Sequence, residues 1–347
     1  MMKDKTGTGE TVQLDHGSGG IASNRLVRER ITDRLGHISG TAPLEDCAVT
    51  DFPNMSKLAF STDSYVVDPL FFPGGDIGCL AVHGTINDLA MRGAEPVCLS
   101  LAFIIEEGLS IYELELIVDS IGRASDKCGV PVVTGDTKVV PGGSCDRIFI
   151  NTSGAGFLPM ERDISSGNAR PGDAILISGS CGDHGITIMT ARAEMSLTGN
   201  IQSDTAPLHD MVKRLLNHIP EDAVHVMRDP TRGGFATALN EIAADSGVSM
   251  EIEEAAVPVR QEVRAACEIL GLDPLYLANE GKMLLIVEEA HAGKALDIMR
   301  SFPHGREAAI TGRVTGRDNP GRVTMKTSAG GSRIMAALHG NPLPRIC

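Results

Sequence analysis

Apolar residues recur along the first half of the chain in short continuous runs separated by longer amphipathic stretches. The short runs, which are typical of strands, cover residues 57–63, 96–105, 130–136 and 147–158. The amphipathic stretches, which have the length and spacing of helices, cover residues 78–93 and 111–129. Gly129 stands where a glycine commonly closes a helix. The runs at 57–63 and 130–136 predict buried strands that each end in an aspartate.

A second series of the same kind follows a polar stretch rich in glycine and proline at 158–173. Its strand-like runs cover residues 173–179, 223–229, 283–289 and 307–314. Its helix-like stretches cover residues 184–195, 208–219, 233–247 and 290–302. The spacing of strands and helices is too irregular for an eightfold barrel, so we expect an α+β fold built from two α/β domains.

The pattern also sets the expected domain limits. We predict a glycine-rich arm and helix at 1–37, a first α/β domain at 38–158, a linker at 159–170, a second α/β domain at 171–335 and a mobile tail at 336–347.

Charge and composition exclude several classes of partner. The 347 residues have a net charge of −14, which argues against a nucleic-acid surface and against an anionic membrane. No apolar run reaches the ~18 residues of a membrane helix, and the first residues lack the apolar stretch of a signal peptide. The eight cysteines are scattered, without a CxxC pair, as in a protein of the reducing cytoplasm. We therefore expect a cytoplasmic protein.

Four acids of the first domain are candidates for holding Mg²⁺. The chain has no Walker A sequence and no G-x-G-x-x-G after a strand, so a bound nucleotide would need another route. Mg²⁺ prefers carboxylate oxygens together with substrate phosphates. The candidates are Asp46, Asp63, Asp88 and Asp136. Each aspartate taken alone also fits an ordinary turn or cap. Gly84 lies one helical turn from Asp88 and is expected to leave room for a ligand.

Three further stretches have residue types suited to chemistry. Lys138 follows Asp136 in a loop bounded by glycine and proline, and Glu280 lies in a glycine turn just before a buried strand. Such a glutamate is suited to proton transfer if its surroundings raise its pKa. The stretch 228–234, RDPTRGG, joins a strand to a helix and could bind an anion. A solvated turn or an ordinary helix start explains each stretch equally well.

The sequence ends with Cys347, shortly after Pro342 and Pro344. The prolines favour an extended arm, so the cysteine is placed as a thiol on a stalk. A frayed terminus that happens to finish in cysteine is the alternative. The neighbouring α-carboxylate should raise the pKa of the thiol, and Arg345 could offset this effect.

Taken together, several motifs resemble the HypE family of hydrogenase maturation proteins. The resemblance rests on residues 16–20 (HGSGG), 60–108, 132–140, 228–234, 278–283 and the final PRIC. This family is related to aminoimidazole ribonucleotide synthetase, selenophosphate synthetase and thiamine-monophosphate kinase. The resemblance implies two domains of the aminoimidazole ribonucleotide synthetase type, a flexible tail and a homodimer with ATP bound near its interface.

The resemblance also assigns roles to residues. It implies that Mg²⁺ and ATP are held by the four acids named above and by Asn87. Gly17, Gly19 and Gly20 would belong to a loop that closes on the phosphates. Lys138, Glu280 and Cys347 would be catalytic.

The implied reaction is an ATP-dependent dehydration carried out on the chain's own terminus. A HypF carbamoyltransferase would load a carbamoyl group onto Cys347, and dehydration would give a thiocyanate. The cyanide would then pass to iron on a HypC–HypD complex, as a ligand for a [NiFe]-hydrogenase. Two alternatives stay open at this stage. One is a related ATP-dependent phosphotransferase or synthetase acting on a small metabolite. The other is a metal carrier or scaffold without catalysis.

Overall fold

The protein is described by a computed structural model that covers residues 21, 25, 47–52, 56–193, 201–338 and 345–347. The strands are β1 Ala48–Phe52, β2 Ser56–Tyr65, β3 Phe71–Phe72, β4 Gly75–Asp76, β5 Glu95–Glu106, β6 Val132–Val140, β7 Ile148–Pro159, β8 Ala174–Ile177, β9 Val224–Arg228, β10 Ser249–Glu253, β11 Leu284–Val287, β12 Ala309–Gly316, β13 Val323–Lys326 and β14 Ser332–Ile334. The α-helices of these residues are α1 Ile77–Met91, α2 Ile111–Cys128, α3 Asp183–Arg192, α4 His209–His218, α5 Gly234–Asp245, α6 Gln261–Leu270 and α7 Glu289–Arg300. Short 3₁₀ helices cover Glu221–Ala223, Glu254–Ala256, Pro274–Tyr276 and Pro303–Gly305.

The first domain is built on a five-stranded sheet with the order β1-β2-β7-β5-β6. Its strands pair antiparallel except β5 and β6, which pair parallel and are connected through α2. Along β2 the side chains alternate, with Ala59 and Tyr65 buried and Phe60 and Thr62 exposed. This alternation is typical of a sheet covered on one face only. Helix α1 packs against the covered face.

The strand that contains Asp136 is not buried as predicted. β6 is the outermost strand of the sheet, and seven of its nine residues are exposed. Its apolar residues Val133 and Val139 are 62% and 67% exposed. The apolar run at 130–136 therefore belongs to a strand that a single chain leaves exposed. The periodicity of the sequence alone cannot distinguish such an edge strand from a strand of the core.

Helix α1 lies between the two domains and is buried on nearly every side. Asp76 caps its first turn by accepting hydrogen bonds from Gly78 N (2.8 Å) and Cys79 N (3.0 Å). A helix that is apolar all round belongs in the interior. The predicted stop of the next helix is confirmed, because Gly129 has a φ of 66° and follows the end of α2 directly.

The second domain is built on a seven-stranded sheet with the order β14-β13-β10-β12-β8-β11-β9. Both faces of its centre are covered. In β8, Ile175 and Ile177 pack towards Phe235 of α5, whereas Leu176 packs in a separate cluster with Met211 of α4. Double coverage explains why the predicted strands here are continuous apolar runs.

The expected α+β fold with two α/β domains of the aminoimidazole ribonucleotide synthetase type is confirmed. The exact domain limits, including the arm at 1–37 and the mobile tail at 336–347, stay predictions. Across the part of the chain that the structure describes, no helix is long and apolar enough to span a bilayer.

Candidate active site

The last residues of the chain are seated in the first domain. Ile346 is buried in the core cluster that contains Tyr65 and Val67, and half-buried Cys347 packs against the same cluster. An oxygen of the Cys347 α-carboxylate accepts a hydrogen bond from Val66 N at 3.0 Å. The sequence left the resting position of the tail open, and the structure provides one bound position for its end.

Three charged residues from distant parts of the sequence surround Cys347 closely enough to shift the pKa of its thiol. Asp63 lies near the end of β2, Arg232 in the turn between β9 and α5, and Glu280 in the loop before β11. Arg232 reaches across from the second domain to within 3.4 Å of an Asp63 carboxylate oxygen. The terminus therefore lies where the two domains meet.

The Cys347 thiol is held in its protonated form. Burial raises its pKa to about 12, Glu280 and Asp63 add to the rise, and Arg232 opposes it. Arg345 is directed elsewhere: its guanidinium pairs with Asp146 and donates to the carbonyl of Val66 at 2.9 Å. A protonated thiol is a poor nucleophile, so the seated position is unsuited to loading the sulfur.

Glu280 has the burial expected of a residue that transfers a proton. Its side chain is buried, and Oε1 has no hydrogen-bond partner within the described ranges. Burial raises the pKa of its carboxyl well above 4.5, with Asp229, Asp204 and Asp63 adding to the rise and Arg232 opposing it. A carboxyl group in such surroundings is suited to proton transfer.

The backbone of Glu280 is fixed from both domains. Its N–H donates to Asp204 Oδ1 at 3.0 Å, and its carbonyl accepts from Asn87 Nδ2 at 3.3 Å. The Asn87 amide also bonds the carbonyl of Ala206 at 3.0 Å and the N–H of Leu208 at 2.8 Å. Asn87, which the resemblance assigns to nucleotide binding, is buried here and supports the loop of Glu280.

A buried ion pair lies directly beneath this loop. Lys282 Nζ is 3.2 Å from Asp204 Oδ2, and the side chains are only 5% and 3% exposed. The neighbouring Gly281 permits this approach, because a Cβ there would meet the carbonyl of Asp204 and lie 2.7 Å from Ala206 N. The pair therefore joins the loop of Glu280 to the segment 201–208.

Replacing Lys282 with methionine is expected to destabilise the fold strongly. The change leaves the Asp204 carboxylate buried without its cation, which costs about 3–5 kcal/mol. Urea unfolding measures this loss. Lys213→Met is the matched control, since Lys213 pairs with Glu95 at the surface (2.9 Å, both side chains more than half exposed) and such pairs contribute about 0–1 kcal/mol. Equal losses in the two variants would contradict this interpretation of the buried pair.

Two of the predicted magnesium ligands lie close to Arg232. Asp63 Oδ2 accepts from the Tyr65 hydroxyl at 3.2 Å, and Asp88 Oδ2 accepts from Ser61 Oγ at 2.6 Å. Both carboxylates also raise the pKa of Arg232. The structure therefore brings Asp63 and Asp88 together with Glu280 and Cys347.

The space beside Gly84 differs from expectation. A Cβ at this position would collide with the hydroxyl of Tyr65, so the glycine accommodates a tyrosine of the same domain. The prediction that Gly84 leaves room for a ligand is wrong for this structure.

The other predicted site residues are not enclosed with this cluster. Asp136 and Lys138 lie on β6, where they are 3.6 Å apart and their side chains are 66% and 72% exposed. Gly17, Gly19, Gly20 and Asp46 lie outside the described residues. Within the described ranges, no three His, Cys, Asp or Glu side chains converge to hold a metal ion by themselves.

The two arginines of the RDPTRGG turn form ion pairs with different partners. Arg228 pairs with Glu241 of α5 at 3.1 Å, whereas Arg232 faces Asp63. Burial raises the pKa of Asp229 to about 6, and Asp63 adds to this rise while Arg228 opposes it. Sequence reasoning found this turn as an anion-site candidate but did not connect it with the terminus. It missed Asp204 entirely, because that residue lies in a segment with no regular periodicity.

Comparison with known proteins defines the class. Residues 44–158 match the N-terminal domain of AIR synthase related proteins, and residues 170–324 match their C-terminal domain. Both halves of the fold, and the site between them, therefore define an AIR synthase-related protein.

Closer relatives define the family within this class. The chain is 49% identical over 337 residues to carbamoyl dehydratase HypE of Azotobacter vinelandii, covering 97% of each chain. A HypE crystal structure in complex with ATP is 50% identical, with a TM-score of 0.82, and covers 97% of this chain and 100% of its own. HypE in a HypE–HypF complex is 48% identical, with a TM-score of 0.83. The match covers 89% of this chain and 98% of the HypE chain. The chain belongs to the HypE family of enzymes.

Proposed function

We propose that this chain is a carbamoyl dehydratase that converts an S-carbamoyl group on its own Cys347 into a thiocyanate at the expense of ATP. The observation that carries the proposal is the seating of Cys347 beside buried Glu280 at the junction of the two domains. A synthetase acting on a small metabolite would have no use for its own terminus in this position. A HypE relative solved with ATP supports the nucleotide.

The proposed reaction balances as a dehydration coupled to ATP hydrolysis. The substrate is R–S–C(=O)–NH₂, and the products are R–S–C≡N, ADP and phosphate. ATP supplies the phosphoryl group that turns the carbamoyl oxygen into a leaving group. The C–O bond breaks with its electron pair on oxygen, and the nitrogen gives up both protons as the C≡N bond forms.

Glu280 is positioned to accept a proton from the carbamoyl nitrogen. Its Oε1 has no partner among the described residues, and its raised pKa makes the carboxylate a stronger base than an exposed glutamate. Arg232 adds positive charge beside Cys347, where negative charge develops on the departing oxygen. The domain junction also shields the reacting group from water.

Asp63 and Asp88 fit a role in holding Mg²⁺ with ATP. The cluster has more carboxyl groups than cations, and such a surplus favours binding of a cation. Mg²⁺ is commonly held by one or two carboxylates plus phosphates, which agrees with the lack of a three-ligand group in the described ranges. Asp46, Asp136 and Lys138, together with the HGSGG loop, remain proposed contacts to the nucleotide.

The tail must leave this position before the sulfur is loaded, because the seated thiol is protonated and half-buried. We infer that HypF transfers the carbamoyl group to the withdrawn tail, as the HypE–HypF complex of a relative supports. Tethering then returns the loaded group at an effective concentration of about mM. A HypC–HypD complex would receive the cyanide.

The open face of the first sheet supports a homodimer. It exposes large apolar side chains on strands β2, β5 and β7: Phe60, Ile104 and Phe157. Large apolar side chains exposed on one face of a sheet are typical of an interface between chains. A second copy would cover β6 and enclose Asp136 and Lys138.

Mass spectrometry of the C-terminal peptide tests the reaction. After incubation with HypF, a carbamoyl donor and ATP, Cys347 should first gain one carbamoyl group and then lose one water. Without ATP, the carbamoyl form should accumulate. Absence of the dehydrated form in the presence of ATP would refute the proposed function.

A further inference from the structure

Each of residues 345–347 has a main-chain oxygen that is bonded by the protein. Arg192 Nη2 donates to the carbonyl of Arg345 at 2.8 Å, and His184 Nε2 lies 2.8 Å from the carbonyl of Ile346. The α-carboxylate of Cys347 accepts the N–H of Val66, the residue that follows β2. All three contacts go to the main chain of the tail, so they fix its position next to the reacting sulfur.

The contact from His184 is held in one tautomer. Its ring is fully buried, and its pKa is lowered by burial, so the imidazole is neutral at neutral pH. A carbonyl only accepts, so Nε2 must be the protonated nitrogen and Nδ1 must accept. Ser203 Oγ lies 2.7 Å from Nδ1 and therefore donates to it. The same hydroxyl oxygen accepts the N–H of Thr205 at 3.2 Å, which directs its proton towards the ring.

Asp204, the residue after Ser203, holds the loop of Glu280, the proposed proton acceptor. Asp204 accepts the N–H of Glu280, and Ser203 itself is tied to the first domain by its N–H bond to the carbonyl of Pro73 at 2.8 Å. Two adjacent residues of one segment thus support the two groups that must meet, the terminus and the carboxyl of Glu280.

We propose that Ser203 and His184 form a clamp that positions the loaded terminus for dehydration: the Ser203 hydroxyl fixes the Nε2–H tautomer of His184, and His184 then holds the Ile346 carbonyl. The clamp rests on the proposed function and adds positioning residues to it. Both residues act through the main chain of the tail and contact no reacting atom. Precise placement of this kind governs rate, because displacement of a reacting group by about 1 Å can cost 10²-fold.

The test compares Ser203→Ala with Ser203→Thr, which retains the hydroxyl. Without a donor, either Nδ1 lacks a partner or the proton moves to Nδ1 and Nε2 repels the carbonyl. Ser203→Ala should therefore slow dehydration of a pre-carbamoylated tail at saturating ATP about tenfold, the effect of losing one hydrogen bond. Ser203→Thr should restore the rate. The affinity for ATP should not change.

A second readout follows the tail itself and needs no turnover. Iodoacetamide should alkylate Cys347 faster in Ser203→Ala than in the wild type, as measured on the C-terminal peptide. Ser125→Ala is the matched control, because this buried serine donates to the carbonyl of Val130 at 2.7 Å within the first domain. It should leave both rates unchanged.

The outcomes separate the clamp from the reaction. A wild-type alkylation rate and a wild-type dehydration rate in Ser203→Ala would overturn the clamp and leave the proposed function standing. Equal changes in Ser125→Ala and Ser203→Ala would also overturn it, because general loosening would then explain both. If the wild type forms no nitrile, the proposed function fails, and the alkylation rates still decide whether the clamp holds the terminus.

Discussion

Replacement of Cys347 by serine is expected to abolish formation of the nitrile. The hydroxyl group is smaller than the thiol, so the variant can occupy the same position, but an alcohol is far less nucleophilic than a thiol at neutral pH and does not take up the carbamoyl group. The loss of nitrile should be larger than the loss caused by replacing any other site residue, because the variant lacks the sulfur that carries the substrate. Mass spectrometry of the C-terminal peptide, with HypF, a carbamoyl donor and ATP, measures the yield.

The control for this variant is Cys98→Ser. Cys98 is another partly exposed cysteine, located in β5 of the first domain. It should keep the full yield of nitrile, and both variants should bind ATP as the wild type does. Nitrile formation in Cys347→Ser at the wild-type yield would show that another group carries the carbamoyl substrate, and it would refute the proposed function.

The elements of the second domain could be predicted well because its sheet is covered on both faces. The stretches 174–177 and 283–287 are apolar at every position, and each corresponds to an interior strand of that sheet. The first domain was less predictable. Its apolar run at 130–136 forms an edge strand, and a single sequence does not reveal whether an apolar surface faces the core or another chain.

The site could be predicted only in part, for a related reason. Asp63 and Glu280 were found because strand ends and glycine turns mark such residues locally, and Asp88 because it is an acid in a predicted helix of the same domain. Arg232 acts across the domain junction and Asp204 within the second domain, and their partners Asp63 and Glu280 lie more than 70 residues away in the sequence. The sequence also could not predict where the Arg345 side chain points. It faces Asp146, and the cation beside the Cys347 thiol is Arg232.

Replacement of Glu280 by glutamine is expected to slow dehydration by about 10²–10⁴-fold, the usual contribution of a general base. Glutamine keeps the shape of the side chain but cannot accept the proton. The wild-type rate should rise with pH as Glu280 ionises, above the ordinary value of 4.5, and this limb of the profile should be missing in the variant. Single-turnover dehydration of a carbamoylated tail, measured across pH, tests both expectations.

The control for this change is Glu262→Gln, at an exposed position in the first turn of α6, which should keep the wild-type rate and pH profile. Stability provides an independent check. Because the pKa of Glu280 is raised in the folded state, its ionisation lowers the free energy of unfolding as pH rises above 4.5, and Glu280→Gln should remove this decline. Urea unfolding at two pH values measures the difference. If Glu280→Gln dehydrates at the wild-type rate, Glu280 is excluded as the proton acceptor. If Glu280→Gln is slow but its free energy of unfolding still declines with pH as in the wild type, the Glu280 carboxyl is ionised without penalty in its buried position.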